Sequence, residues 1–142
     1  MGAVENGKIR SIVLPAVMES YNKLMSFLEE TLEEMGCPLK EMMIINVAAD
    51  EIIANIISYA YEGSSGDLSI EIEELQNPRG VSICFSDRGI PFDPLKKPDP
   101  EIHLSAEERE IGGLGIFMVK KTMDGVEYNY SEGNHFRIKK FF

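Results

Sequence analysis

The chain has 142 residues, a formal net charge of −10 at pH 7 and a sequence pI near 4.7. This length suits one domain with a sizeable core, so we predict a single domain over residues 1–142. The acidity disfavours nucleic acid or an anionic membrane as the main partner, because both attract clustered Lys and Arg side chains. A small anionic ligand is compatible with it, because local backbone amides and a metal ion decide such binding.

The sequence shows neither a membrane span nor an export signal. No apolar stretch reaches about eighteen residues without a polar interruption, and the first residues lack the basic segment and apolar core of a signal sequence. The two cysteines, Cys37 and Cys84, are far apart and show no metal-ligand spacing. We therefore expect a soluble cytoplasmic protein with two reduced thiols that serve in packing.

The first part of the chain predicts one strand and two helices. Residues 8–14 carry spaced apolar side chains and stop at Pro15, as a strand does. Over residues 16–35 apolar positions recur every three or four residues, which predicts an amphipathic helix that ends at Gly36. Residues 38–60 are apolar almost all the way round, which predicts a second helix that packs on more than one side.

The remainder predicts two pairs of strands, separated by a long loop and a short helix. Period-two alternation indicates strands over 68–73, 81–86, 126–130 and 136–141. Residues 87–112 contain four prolines and no apolar periodicity, so we predict a lid loop there, followed by a short helix from residue 113. This order predicts an α+β fold, a two-layer α/β sandwich in which helices cover one face of a mixed, mainly antiparallel sheet.

The first informative segment is a polar sector of the second helix. At about 100° per residue, Glu51, Asn55 and Ser58 fall within one narrow sector, with Glu51 and Asn55 one turn apart. A buried carboxylate and amide need partners, so these groups should meet water, a protein group or a ligand. For the pair alone, the simpler explanation is a solvated edge on a core helix.

Two further segments have ligand-binding character when they are taken with the first. Asp87 lies where a predicted strand ends and can accept a hydrogen bond from an exocyclic amine such as adenine N6, and Gly89 lets backbone approach a flat ring. The run Gly112-Gly113-Leu114-Gly115 precedes a helix, whose free amides and macrodipole favour phosphate. It is not a Walker A loop, because no Gly-Lys-Ser/Thr follows. Each segment alone is also typical of an ordinary turn or helix start.

Together, in this order and spacing, the three segments resemble the Bergerat-fold ATPases, the superfamily of gyrase B subunits, heat-shock chaperone ATPase domains and histidine kinase catalytic domains. Within it the chain is most similar to the small bacterial anti-sigma-factor serine kinases. Glu51-x-x-x-Asn55 looks like their N box, Asp87-x-Gly89-x-Pro91 like their first glycine box, and Gly112-Gly113-Leu114-Gly115 like their second.

This resemblance implies an ATP- and Mg²⁺-dependent protein serine/threonine kinase that is also an anti-sigma factor. Its partners would be a sigma factor and a small anti-anti-sigma domain protein, which it would phosphorylate in a bacterial partner-switching pathway. The resemblance also suggests a homodimer.

The resemblance assigns roles to particular residues. Asn55 would be the Mg²⁺ ligand, and Glu51 would be the general base that takes a proton from the attacking hydroxyl. Asp87 and Gly89 would contact adenine, and Gly112-Gly113-Leu114-Gly115 would present amides to the phosphates. Arg109 would add positive charge when the lid loop closes, although such a cation is as often a solvated surface charge.

Three positions depart from the family pattern. Pro91 stands where the wider superfamily has a second glycine, Tyr59 where other members have His, and Asn134 where many have Thr. The contacts in the outer part of the pocket are therefore open. Neither His103 nor His135 is placed like a phospho-accepting histidine, which disfavours a histidine kinase fragment.

Two alternatives to the kinase use the same residues. A binding module would hold ATP and capture a protein partner without phosphoryl transfer, and an ATP hydrolase switch would use water as the acceptor. Glu51 favours chemistry over binding alone, because a pure binder would need only Asn55 and the glycines.

Overall fold

A computed structural model of the chain describes residues 8–96 and 113–142. These residues form five strands, three α-helices and two short 3₁₀ turns. In chain order the elements are β1 (Ile9–Pro15), a 3₁₀ turn (Met18–Ser20), α1 (Tyr21–Glu34), α2 (Leu39–Tyr59), β2 (Asp67–Leu75), β3 (Gly80–Asp87), a second 3₁₀ turn (Pro94–Lys96), α3 (Gly113–Thr122), β4 (Gly125–Tyr130) and β5 (Asn134–Phe141). All the predicted strands and helices are present.

The five strands form one sheet in the order β1-β2-β3-β5-β4. The predicted two-layer α+β architecture is confirmed. All four pairings among the described residues are antiparallel, so the mixed sheet that the sequence suggested has no parallel pair in this part of the chain. On the face toward the helices, Ile70, Phe85 and Phe136 stand side by side on neighbouring strands and are buried.

Helix α2 is the centre of the helix layer and contacts both α1 and α3. Its buried residues, Ile45, Ala48, Ala49, Ile52 and Ile53, belong to the same core cluster as the sheet residues. Burying each isoleucine stabilises the fold by roughly 1.5–3 kcal/mol. By length and composition, α2 is also the one helix among the described residues that could cross a membrane, a property that it shares with core helices of soluble proteins.

Helix α1 begins later than the sequence pattern predicts. The pattern starts at residue 16, whereas the α-helix starts at Tyr21, after the 3₁₀ turn. The Ala16 amide donates a 2.9 Å hydrogen bond to the Gly66 carbonyl, and Val17 has an extended backbone with φ −134°. Gly66, which is distant in sequence, thus holds residues 16 and 17 in an extended conformation. Local periodicity cannot predict this contact.

Candidate active site

A solvent-open cleft lies between the C-terminal half of α2, the end of β3 and the start of α3. Its polar side chains are few: Asn55, Asp87 and Asn134. The other residues that line it are mainly apolar or aromatic: Ile52, Ile56, Tyr59, Ala60, Phe85, Ile90, Phe92, Pro94, Ile116, Tyr128 and Phe136. A mostly apolar cleft with a few converging polar groups is the usual form of a site for a flat organic ligand.

Glu51 and Asn55 lie one turn apart on α2 and contact each other. The Asn55 Nδ2 donates a 3.1 Å hydrogen bond to the Glu51 Oε2. Because a carboxylate accepts only from the NH₂ end of the amide, this contact orients Asn55 so that its Oδ1 is turned away from Glu51. Ser58, the third residue of the predicted sector, is exposed and does not line the cleft.

Helix α3 begins at the cleft and packs against Glu51. Its first turn contains Gly113, Leu114 and Gly115, so amides without helical partners lie at this end, as predicted. A Cβ at Gly115 would lie 2.1 Å from the Glu51 Cδ, so only glycine allows this approach. Two predicted site residues, Arg109 and Gly112, lie outside the described residues, as do positions 97–112 of the lid loop.

Asp87 is the last residue of β3 and is buried, with 7% of its surface exposed. Its Oδ1 accepts hydrogen bonds from the Gly89 amide at 2.8 Å and from the Asn134 Nδ2 at 2.9 Å. Both of these hydrogen bonds from described residues go to Oδ1. Oδ2 is therefore the oxygen that can accept a hydrogen bond from a ligand in the cleft. Asp87 and Asn55 therefore bring two of the predicted segments into one cleft.

Comparison with known proteins decides the family of this chain. Residues 14–140 match the family described as "Histidine kinase-like ATPase domain". The chain belongs to this family. The resemblance stated from the three segments is thereby confirmed, and membership of an ATPase family implies that ATP is the nucleotide of this domain.

Several curated relatives of this histidine kinase-like ATPase domain are named as protein kinases. "Serine-protein kinase RsbW" of Listeria monocytogenes serotype 4a (strain HCC23) is 32% identical over 93 residues, 63% of this chain and 59% of that protein. "Serine-protein kinase RsbW" of Bacillus pumilus is 26% identical over 134 residues, 90% and 82% of the two chains. "Serine/threonine-protein kinase BtrW" of Bordetella bronchiseptica is 27% identical over 95 residues, 66% of each. The chain spans less than two thirds of the length of the Listeria relatives that it matches.

Asn134 organises the part of the cleft around Asp87, a role that the sequence did not reveal. Its Nδ2 donates to Asp87 Oδ1 and, at 2.7 Å, to the Ile90 carbonyl. Its Oδ1 accepts from the Phe92 amide at 3.0 Å and from the Tyr128 hydroxyl. Burial raises the pKa of Tyr128, so this hydroxyl stays protonated and donates. Four hydrogen bonds fix the amide, and with it the Asp87 carboxylate and the start of the loop after β3.

Tyr61 is a second residue whose role was missed. Its hydroxyl donates a 2.6 Å hydrogen bond to the Asp67 carbonyl and accepts one of 2.7 Å from the Arg88 amide. It therefore ties the end of β3 to the segment after α2. A sequence signal existed, since an aromatic residue with a polar tip follows the helix, but its partner Arg88 is far away in sequence and could not be inferred.

The residues at the cleft fit a magnesium ion that arrives with a nucleotide. In residues 8–96 and 113–142, no group of three or more carboxylate, imidazole or thiol side chains could hold a metal ion. Mg²⁺ bound with a nucleotide takes most of its ligands from phosphates and water and needs only one or two from the protein. The Asn55 Oδ1, which Glu51 leaves free of its own contact, suits that single position.

Gly89 is expected to be essential for the geometry of the loop after β3. A Cβ at this position would lie 2.0 Å from the Ala60 carbonyl oxygen, which also accepts a 3.0 Å hydrogen bond from the Ile90 amide. We expect Gly89→Ala to lower the free energy of unfolding by about 1–3 kcal/mol, because backbone must shift to admit the methyl group. Urea denaturation measures this change.

Gly125→Ala is the matched control, because its added Cβ would lie 3.4 Å from a flexible Lys139 side chain. It should cost less than about 1 kcal/mol. Equal stability losses in the two variants would show that the contact with Ala60 does not restrict this position.

Proposed function

We propose that this chain is an ATP- and Mg²⁺-dependent protein serine/threonine kinase that also acts as an anti-sigma factor. Its substrate would be an anti-anti-sigma domain protein, and its second partner a sigma factor. The observation that carries the proposal is the contact of Glu51 with Asn55, which lines the same cleft as Asp87. The names of the relatives, serine-protein kinases, support the same reaction.

Each group has a role that its contacts support. Asp87 Oδ2 accepts the adenine amine, while Gly89 and Asn134 hold the other carboxylate oxygen. The amides of Gly113, Leu114 and Gly115 bind phosphate at the start of α3. Asn55 Oδ1 would hold Mg²⁺, and the ion would shield the charge of the phosphates. Gly112 and Arg109 are proposed to bind the phosphates as well, on the strength of the resemblance alone.

Glu51 acts on the acceptor. The oxygen of a Ser or Thr hydroxyl forms a bond to the γ-phosphorus of ATP, and the bond from that phosphorus to the β–γ bridging oxygen breaks. ADP leaves, and the hydroxyl proton passes to the Glu51 carboxylate. The hydrogen bond from Asn55 and the packing of Gly115 hold this carboxylate beside the cleft.

Further properties of the proposed kinase follow from the resemblance. We propose a cytoplasmic protein that can form a homodimer, contacts no nucleic acid directly and does not insert in a membrane. Its acidic net charge of −10 accords with proteins as partners rather than polyanions.

The test is phosphoryl transfer by the wild-type protein. Purified protein is incubated with Mg²⁺, labelled ATP and each anti-anti-sigma domain protein encoded in the same genome, and the phosphosite is mapped by mass spectrometry. We expect one partner to be labelled on a single Ser or Thr, and labelling to stop when Mg²⁺ is chelated. Normal ATP binding with no transfer to any candidate would replace the kinase with the ATP-binding module, and release of phosphate to water alone would indicate the hydrolase.

A further inference from the structure

Three large apolar side chains stand exposed in one row on the N-terminal half of α2. Leu39, Met43 and Val47 are four residues apart and therefore share one side of the helix. Their exposed fractions are 71%, 60% and 65%. Single exposed apolar residues are common on proteins, whereas a contiguous row is typical of a contact surface. We call these three residues the α2 stripe.

The α2 stripe ends one turn before Glu51. Val47 and Glu51 are four residues apart on the helix, so their Cβ atoms lie about 5–6 Å from each other. C-terminal to Glu51, α2 lines the nucleotide cleft through Asn55, Ile56 and Tyr59. Glu51 therefore lies at the border between the cleft and the stripe.

Helix α3 extends the exposed apolar surface. Gly115, in its first turn, packs against Glu51, and its last residue, Thr122, accepts a hydrogen bond from Lys140 near the end of β5. The start of α2 also lies near the C-terminal end of β5, because Arg79 joins the two. Its guanidinium donates a hydrogen bond to the Met35 carbonyl, and its own carbonyl accepts one from the Phe142 amide. The two helices thus run antiparallel. Met118, which is 43% exposed, follows Gly115 by three residues and therefore shares with it the side of α3 toward α2.

We propose that the α2 stripe and Met118 form the docking surface for the protein that receives the phosphate. The inference rests on the proposed kinase function, in which an acceptor hydroxyl must come within hydrogen-bond reach of Glu51. The nucleotide occupies the C-terminal side of Glu51, which leaves the N-terminal side of α2 for the acceptor protein. The partner is a protein whose acceptor Ser or Thr is flanked by an exposed apolar patch, and the two methionines adapt to its shape.

The test compares two valines of similar exposure, 65% for Val47 and 59% for Val13. Val47→Lys places a charge in the α2 stripe, and Val13→Lys, at a site that is 59% exposed on β1, is the matched control. The probes are the anti-anti-sigma domain proteins encoded in the same genome. Each is titrated by calorimetry into the wild-type protein and into both variants, in the presence of a non-hydrolysable ATP analogue. We expect Val47→Lys to weaken acceptor binding roughly tenfold or more and Val13→Lys to change it less than about twofold. Unchanged affinity for the analogue in both variants shows that the fold and the cleft are intact.

The outcomes separate the docking surface from the kinase function. Acceptor binding that Val47→Lys leaves unchanged, or a wild-type protein that binds no candidate, overturns the docking surface. Self-association that Val47→Lys abolishes while acceptor affinity stays the same also overturns it, because the stripe then joins two copies of this chain. Partner binding that is lost in Val47→Lys, with no phosphoryl transfer by the wild-type protein, would show that the α2 stripe binds this partner, but it would overturn the kinase function and the partner's role as phosphate acceptor.

Discussion

Replacement of Glu51 by glutamine is expected to reduce phosphoryl transfer by roughly 10²-fold or more while ATP affinity changes only a few fold. Glutamine has the same size, and its carbonyl oxygen can still accept the hydrogen bond that Asn55 donates to Glu51. The orientation of the proposed Mg²⁺ ligand is therefore kept. Glutamine cannot take a proton from the acceptor hydroxyl near neutral pH, so the loss should appear in the chemical step. Single-turnover transfer from labelled ATP measures that step.

Asp50→Asn is the control for this experiment. Asp50 precedes Glu51 on α2 but is exposed, and it accepts a hydrogen bond from the Tyr21 hydroxyl. This hydrogen bond, with burial and the carboxylate charge, raises the pKa of Tyr21 to about 12. Asp50 contacts α1 through Tyr21, whereas Glu51 contacts Asn55 and the start of α3, so Asp50→Asn should transfer phosphate at nearly the wild-type rate. A wild-type rate in Glu51→Gln as well would mean that another group, or none, serves as the base.

Replacement of Asp87 by asparagine is expected to weaken ATP binding roughly 10- to 100-fold. Asparagine keeps the shape and can still accept from Gly89 and Asn134 through its single oxygen. Its NH₂ group then takes the place of the oxygen that faces the cleft, so it meets the adenine amine as donor against donor. Calorimetry with ATP in the presence of Mg²⁺ measures the loss.

Asp93→Asn tests whether any carboxylate near the cleft has this effect. Asp93 accepts a hydrogen bond from the Leu95 amide at 2.9 Å and does not line the cleft, so its replacement should leave ATP affinity nearly unchanged. The wild-type protein should also bind GTP far more weakly than ATP, since guanine presents a carbonyl where adenine presents the amine. Equal affinities for ATP and GTP would remove Asp87 from its role in base recognition.

The fold could be predicted largely from periodicity, because burial repeats at the period of each element. The buried residues of α2 follow the helical period, and β2 alternates as a half-buried strand does, whereas β3 is buried at nearly every position although its sequence alternates. The start of α1 could not be predicted, since the hydrogen bond from Ala16 to Gly66 depends on how β1 and β2 meet. The antiparallel pairing of β3 with β5 could not be predicted either, since no local pattern specifies which strands that are distant in sequence become neighbours.

The candidate site also contains residues that the sequence could propose and one whose role only the structure revealed. Helical spacing brings Glu51 and Asn55 together, and Asp87 lies at a predicted strand end, so the sequence could propose all three residues once the segments were taken together. Asn134 was noted only as a departure from the family pattern. Its importance depends on Asp87, 47 positions earlier, which the antiparallel pairing of β3 with β5 places directly opposite it.

The sequence by itself determined the elements of this protein and the chemical types of the groups that each one carries, because propensity, periodicity and turn chemistry act over a few residues. Only the tertiary structure decided which of these groups meet. The antiparallel sheet joins Asp87 to Asn134, and the packing of α3 on α2 sets Gly115 against Glu51. It also decided that none of the described residues buries the α2 stripe, because an apolar residue on a helix is buried or exposed according to what packs against it.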